Sequence, residues 1–270
     1  MKKFIAILLS LVLTLSLLSA CGGKADDSKV IRVAASATPH AEILEAVKPV
    51  LEAQGYTLDI KVFTDYVQPN TATEDGEVDA NYFQHQPYLD TFNAENGTHL
   101  VSVYAVHYEP FGIYPGTKSS LADVAEGDKI SIPNDGSNRA RALLLLEAQG
   151  LIKLAEGVGT AATVLDIVEN PYNLDIVEME AAQIPGTRDS VAFAVINGNY
   201  ALGAGLNVTK DALASEDAAS VAATTYANIL VVKEGNENSE KIKALIAALQ
   251  SKEVQDFIAK TYSGAVVGVN

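Results

Sequence analysis

Cysteine occurs once in 270 residues and tryptophan not at all. One cysteine excludes any intrachain disulfide, and in an exported protein a lone thiol needs a purpose. Basic residues are also scarce, with 19 Lys and Arg against 34 Asp and Glu for a net charge of −15. That balance argues against nucleic acid or an anionic membrane face as partner, and it says little about a small ligand. The common catalytic signatures are missing: there is no GxGxxG, GxxxxGK[ST], GxSxG or HExxH, and no paired cysteines. No residue is therefore nominated as a nucleophile and no enzyme cofactor is expected.

What is present begins with Lys2 and Lys3, followed by a run over 4–18 that is apolar except for Ser and Thr. A basic start and a short apolar stretch form a secretory signal over residues 1–20, shorter than the ~20 residues a membrane span needs. It ends in Leu18-Ser19-Ala20-Cys21, which resembles the bacterial lipobox and implies cleavage before Cys21 with diacylglycerol on its sulfur. Residues 21–29 then read as a lipidated cysteine and a polar tether, GGKADDSK, outside the fold. Without Lys2 and Lys3 the chain keeps 17 basic and 34 acidic residues, a net of −17. The remaining length suffices for one large domain or two of ordinary size.

Periodicity predicts a strand over 30–35, a helix from Thr38-Pro39 to Gly55 that Pro49 should kink or shorten, and a strand over 56–63. Residues 64–88 are weakly periodic apart from a helix across 70–76, and are expected to supply ligand-facing loops. A helix over 88–96 and a strand over 100–106 follow. The order then repeats, with a strand over 130–132, a loop over 133–138 and a helix over 139–149. Glu52-Ala53-Gln54-Gly55 even recurs as Glu147-Ala148-Gln149-Gly150. Repetition of this kind predicts two similar α/β lobes. Further strands are expected over 164–168, 174–179, 191–196 and 224–232, and one amphipathic helix over 239–260.

Arg141 is the leading candidate for binding. Asn134, Asp135, Gly136, Ser137 and Asn138 favour turns and N-caps, which would put Arg141 in the first helical turn. There the free N–H groups favour an anion, and a guanidinium grips a carboxylate with two parallel bonds. Arg139 lies on another face of the helix; the competing account makes both arginines solvated surface groups. Tyr66, Phe83 and His85, with Tyr82 and Tyr88 nearby, read as an aromatic wall for a modest apolar side chain, whereas Phe63 reads as core. Asn197 and Asn228 are either turn residues or amides presented to an amino acid's polar end. A zinc or manganese site built from His40, His85, His99, His107 and Glu109 is the rival chemistry, but no two of these histidines have close ligand spacing and no metal is expected.

The segments PHAEILEAVKP, FTDYVQPN, VDANYFQHQPYLD, SIPNDGSNRARALLLLEAQGLIKL, AVINGNYAL and YANILVV together resemble the NlpA/MetQ family of methionine-binding lipoproteins that serve ABC importers. The resemblance covers the whole mature chain. It implies a periplasmic-binding-protein fold of type II character, with two α/β lobes joined by two crossovers and the ligand between them. Lobe one would hold 30–111 and 226–270, and lobe two 112–225. It implies that Asn138 and Arg141 hold the ligand's carboxylate region, that Tyr66, Phe83 and His85 form the facing wall, and that Asn197 and Asn228 supply amides. It further implies a monomer anchored by lipid at the extracytoplasmic face of the cell membrane, handing methionine or a close analogue to a permease and ATPase. The family commonly reads NDPTN where this chain has Asn134-Asp135-Gly136-Ser137-Asn138, and SPYAN where it has Thr224-Thr225-Tyr226-Ala227-Asn228. A metal-delivery lipoprotein and a surface lipoprotein without a transport role are the alternatives.

Overall fold

The computed structural model describes residues 27–217 and 221–269; the expected signal, Cys21 and the tether up to residue 26 lie outside them. The chain begins with β1 (Val30–Ser36), α1 (Glu42–Glu52), β2 (Thr57–Phe63), α2 (Gln68–Glu74), β3 (Ala80–His85), α3 (Gln86–Asn96) and β4 (Leu100–Tyr108). A second group follows: β5 (Gly112–Pro115), β6 (Lys129–Pro133), α4 (Gly136–Ala148), β7 (Lys153–Leu154), β8 (Ile167–Glu169), β9 (Asp175–Met179), β10 (Phe193–Ile196), α5 (Gly198–Gly203), α6 (Val208–Asp211) and β11 (Ala214–Ser215). The chain ends with α7 (Val221–Thr225), β12 (Asn228–Lys233), α8 (Glu240–Leu249), α9 (Lys252–Thr261) and β13 (Val267–Gly268).

Two main sheets result, ordered β13-β4-β12-β3-β1-β2 and β11-β5-β10-β6-β9. β1 runs parallel to both β2 and β3. β12 returns after the second group and inserts antiparallel between β3 and β4, so the chain passes twice between the sheets. Each sheet has its own apolar core. Ile31, Val33, Val47, Leu51, Leu245 and Leu249 belong to one; Phe111, Ile113, Leu143, Leu146, Phe193 and Val195 belong to the other. The molecule is thus two α/β lobes joined by two crossovers.

Local physics explains where the elements differ from their sequence-based outline. Pro49 lies inside α1 without ending it: the buried Ile43, Leu44, Val47 and Leu51 gain roughly 1.5–3 kcal/mol each, more than the ~3 kcal/mol a helix proline costs. β3 falls where only loops and a helix were expected. All six of its residues are buried, so no period of two marks it. Its polar side chains are satisfied internally, since Asn81 Nδ2 donates to Thr73 Oγ1 at 2.7 Å and to Asn70 Oδ1 at 3.0 Å, and Asn70 Nδ2 donates to Gln84 Oε1 at 3.0 Å. The single helix expected over 239–260 is two, because Ser251 stops the first and caps α9, its Oγ accepting from the Val254 N–H at 3.4 Å. Likewise, the strand expected over 224–232 begins only at Asn228, after the short helix α7.

Gly116 packs against backbone at the edge of β10. A Cβ there would lie 2.2 Å from the Val191 carbonyl oxygen and 2.7 Å from that of Arg188. Gly116→Ala should therefore destabilise by roughly 1–3 kcal/mol, a Tm decrease of about 2–12 °C at this chain length. Gly203→Ala, where no atom lies within 4 Å of the new Cβ, should leave Tm unchanged or raise it slightly. Thermal melts of the two variants check the contrast.

Candidate functional site

Asp135 decides where α4 begins. Its Oδ1 accepts from the Asn138 backbone N–H at 2.9 Å, and both carboxylate oxygens accept from Asn138 Nδ2 at 3.0 Å. The helix consequently starts at Gly136, three residues before the expected start, and Arg141 stands in its second turn rather than its first. The Asn138 N–H of this helix end is taken by the capping carboxylate of Asp135 rather than left for an anion at Arg141.

Arg141 is buried and held from several sides. Its Nε donates to Glu216 Oε1 at 2.7 Å, and Nη2 donates to Glu216 Oε2 at 2.5 Å and to the Glu109 carbonyl at 3.1 Å. The Tyr226 ring lies 4.1 Å from its Cζ. Nη1 donates to none of the described residues. Burial alone would lower the Arg141 pKa, but the charge and hydrogen bonds of Glu216 outweigh it and raise the pKa. Burial would likewise raise the Glu216 pKa, and Arg141 reverses it to a net lowering. Both groups are therefore charged at neutral pH.

Arg141 lines a narrow cavity between the lobes. Tyr66, Phe83, His85, Asn138, Arg141, Asn197 and Asn228, all the ligand-binding candidates from sequence, line it. Arg139 turns away to Glu178, 3.4 Å distant. Tyr66, Phe83 and Tyr88 form one aromatic part of the wall, with ring centroids 5.6–6.0 Å apart. Tyr82 points instead into the core, where its hydroxyl bonds His107 Nδ1.

Several contacts bridge the lobes across this cavity. His85 Nε2 bonds Asn138 Oδ1 at 3.1 Å, Tyr66 donates to Asn199 Oδ1 at 2.5 Å, and Tyr200 donates to the Thr64 carbonyl at 3.1 Å. Asn138 is the hub. Its Oδ1 also accepts from Asn197 Nδ2 at 3.0 Å, so its amide is fully engaged and holds other side chains in place. Asn197 Oδ1, by contrast, is buried without a partner among the described residues.

Glu109 was considered from sequence only as a metal ligand, yet it lines the cavity and is buried with His40 and His107. Gly198 permits this, since a Cβ at that position would come within 2.6 Å of the Glu109 side chain. Burial raises the Glu109 pKa, while it lowers that of His40 to about 4 and that of His107 to about 3. Burial and the Arg141 charge also lower His85 to about 3. The imidazoles are therefore neutral at neutral pH, and Arg141, the cation nearest Glu109, is bound to Glu216.

The four histidines do not form the single metal set weighed from sequence: His85 bonds Asn138 and His99 lies beside Glu74 at 3.8 Å. Ligand-capable atoms of His40, His107 and Glu109 do lie within 4.8 Å of one another. Hydrogen bonding already engages one such atom of each, however. His107 Nε2 donates to Glu109 Oε1 at 2.7 Å, and His40 Nε2 lies 2.9 Å from Asn228 Oδ1.

Two α/β lobes, two crossovers and a polar, aromatic cavity between them define a solute receptor of the periplasmic-binding-protein class. The NlpA lipoprotein family model matches residues 31–269, and the chain belongs to that family. The methionine-binding lipoprotein MetQ of Bacillus subtilis is 45% identical over 279 residues, covering 100% of both chains. A lipoprotein structure from Ruminococcus gnavus is 61% identical with a TM-score of 0.89, covering 90% of this chain and 100% of that one. A nutrient-binding protein from Burkholderia cenocepacia, solved bound to methionine, is 45% identical with a TM-score of 0.84, covering 89% and 100%. Among the described residues, no helix is long and apolar enough to cross a membrane.

Glu216 was not legible as a site residue, yet removing it strands a buried guanidinium. Glu216→Ala should destabilise the protein by about 3–5 kcal/mol, read by denaturant unfolding. A pH effect follows from the histidines. Their folded pKa values lie below the ordinary 6.5, so their stabilisation is complete above pH 6.5 and is lost as pH falls towards 4. The loss is at most about 1.4 kcal/mol per histidine per pH unit, partly offset by relief of the Glu109 burial cost as that group protonates. Melts at pH 7.5 and 5.0 should show a lower Tm at pH 5.0.

Proposed function

We propose that this protein captures methionine, or a close analogue, in the interlobe cavity and delivers it to an ABC permease and its ATPase. The observation that carries this is the pairing of unmet polar groups in one small cavity. The hydrogen bonds of Arg141 run through Nε and Nη2, which leaves Nη1 for a ligand, and Asn197 Oδ1 is a buried acceptor without a partner among the described residues. A zwitterionic α-amino acid supplies the complement to each: a carboxylate for Arg141, and an ammonium for Asn197 Oδ1 and the Glu109 carboxylate. The aromatic wall of Tyr66, Phe83 and Tyr88 suits an unbranched apolar side chain, and sulfur gains by contact with rings.

The methionine-binding names of the relatives support the same ligand. On this basis Cys21 carries the lipid anchor at the extracytoplasmic membrane face, and the receptor acts as a monomer with no catalytic step. Lobe one then comprises 30–111 with 226–270, and lobe two comprises 112–225, a division supported by which sheet each strand joins. Ligand capture would hold the lobes together about the two crossovers.

Calorimetry on ligand-stripped protein should detect binding of L-methionine or D-methionine; heat from neither rejects the assignment. Arg141→Ala should weaken binding by several kcal/mol, a loss of more than 100-fold, because the ligand carboxylate would be buried unpaired.

A further inference from the structure

Two buried histidines stand immediately behind the cavity wall, and neither lines it. Asn228, the first residue of β12, is flanked in register by His85 on β3 and His107 on β4, and its side chain meets His40 from a third segment. His40 Nε2 lies 2.9 Å from Asn228 Oδ1 and 3.5 Å from Glu109 Oε1. Its Nδ1 is buried without a partner among the described residues.

These three facts select one tautomer. A proton on Nε2 has two acceptors in reach, whereas a proton on Nδ1 would be a buried donor with none, the costlier of the two omissions. We propose that His40 is a positioning residue whose Nε2–H turns the Asn228 oxygen back into lobe one and so presents the Asn228 NH2 group to the ligand carboxylate. The inference rests on the amino-acid reading of the cavity and adds the source of its polarity there. Without the imidazole, the amide of Asn228 is free to reverse and offer its oxygen, which would repel a carboxylate.

His107 does the equivalent for Glu109. Its Nδ1 accepts from the Tyr82 hydroxyl, which leaves Nε2–H to donate to Glu109 Oε1 at 2.7 Å. One neutral imidazole thus backs the donor for the carboxylate, and the other backs the acceptor for the ammonium.

The test compares L-methionine with L-methioninol, which keeps the ammonium and thioether and lacks the carboxylate. By calorimetry, His40→Leu should lose 10- to 100-fold in L-methionine affinity while methioninol affinity changes less than 3-fold. His40→Gln, whose side-chain NH2 can donate to Asn228 Oδ1, should recover most of the loss. Adding His40→Leu to Asn228→Ala should cost L-methionine nothing further. Equal losses for both ligands, or additive losses in the double variant, would overturn the proposal. A direct check needs no variant: the 15N signals of His40 in the wild-type protein should report a protonated Nε2 and a bare Nδ1, and the opposite tautomer rejects it. If the wild-type protein binds neither methionine enantiomer, the functional reading itself fails, an outcome distinct from unchanged discrimination in the His40 variants.

Discussion

The ion pair between Arg141 and Glu216 is the constraint on which the rest of the site depends. Glu216 sits just past β11, where the second crossover begins, and its Oε2 also accepts from the Tyr108 hydroxyl at 2.7 Å and from the Phe111 N–H at 3.0 Å. Those two residues flank the first crossover. One carboxylate therefore ties both connections between the lobes to α4, and through α4 to Asn138 and its hub of amides. Isolated buried pairs often return little net stability after desolvation. This one gives up that energy for geometry: a cation fixed at the junction of the lobes, its Nε and Nη2 hydrogens engaged and the two on Nη1 left over.

Charge bookkeeping in the cavity follows from the same pair. With Arg141 neutralised by Glu216 and the imidazoles of His40, His85 and His107 held neutral by burial, the remaining carboxyl at the wall is Glu109, whose pKa burial raises. A bound zwitterion places its ammonium against that carboxylate and its carboxylate against Arg141, so each buried charge acquires a partner of opposite sign. An anion without an ammonium would leave Glu109 uncompensated, and an amine without a carboxylate would leave Arg141 Nη1 unmet. On the proposed function, selectivity for amino acids as a class would come from these two opposed charges, with the aromatic wall acting on the side chain alone.

Sequence conveyed most of this architecture where local chemistry is self-contained. Strand–helix–strand order showed in 30–63, and the turn residues before Arg141 announced a loop entering a helix. Asn138 and Arg141 could be named because they stand together in one motif. What stayed hidden depends on distant partners. β3 lacks alternation because both its faces are buried, and its asparagines and glutamine resemble loop residues until Asn70 and Thr73 are brought against them. Glu216 lies 75 residues from Arg141, and no local pattern marks it as a partner. Glu109 was visible only as a carboxylate near histidines; its place in the cavity needed Gly198, whose missing side chain makes the room. The helix start was misjudged because Asp135, one of several equivalent capping candidates in the loop, proved to be the cap.

The bridges across the cleft indicate how ligand and closure are coupled. Tyr66 to Asn199, His85 to Asn138 and Tyr200 to Thr64 are hydrogen bonds between neutral groups, each worth only about 0.5–1.5 kcal/mol net because water replaces them when the lobes part. Such contacts give direction to closure without locking it, so the two states differ by an amount a ligand can overcome. The larger contributions appear only when the cavity is filled, since Arg141 is anchored at the crossovers and on lobe two, while Glu109 stands at the first crossover and Asn228 and Phe83 on lobe one. On the proposed function, a zwitterion spanning them would make its full set of contacts only with both lobes around it. Such a difference in contacts would be the differential affinity that shifts the population, and the strongest charges in the site stand at the crossovers, where both lobes can meet a ligand at once.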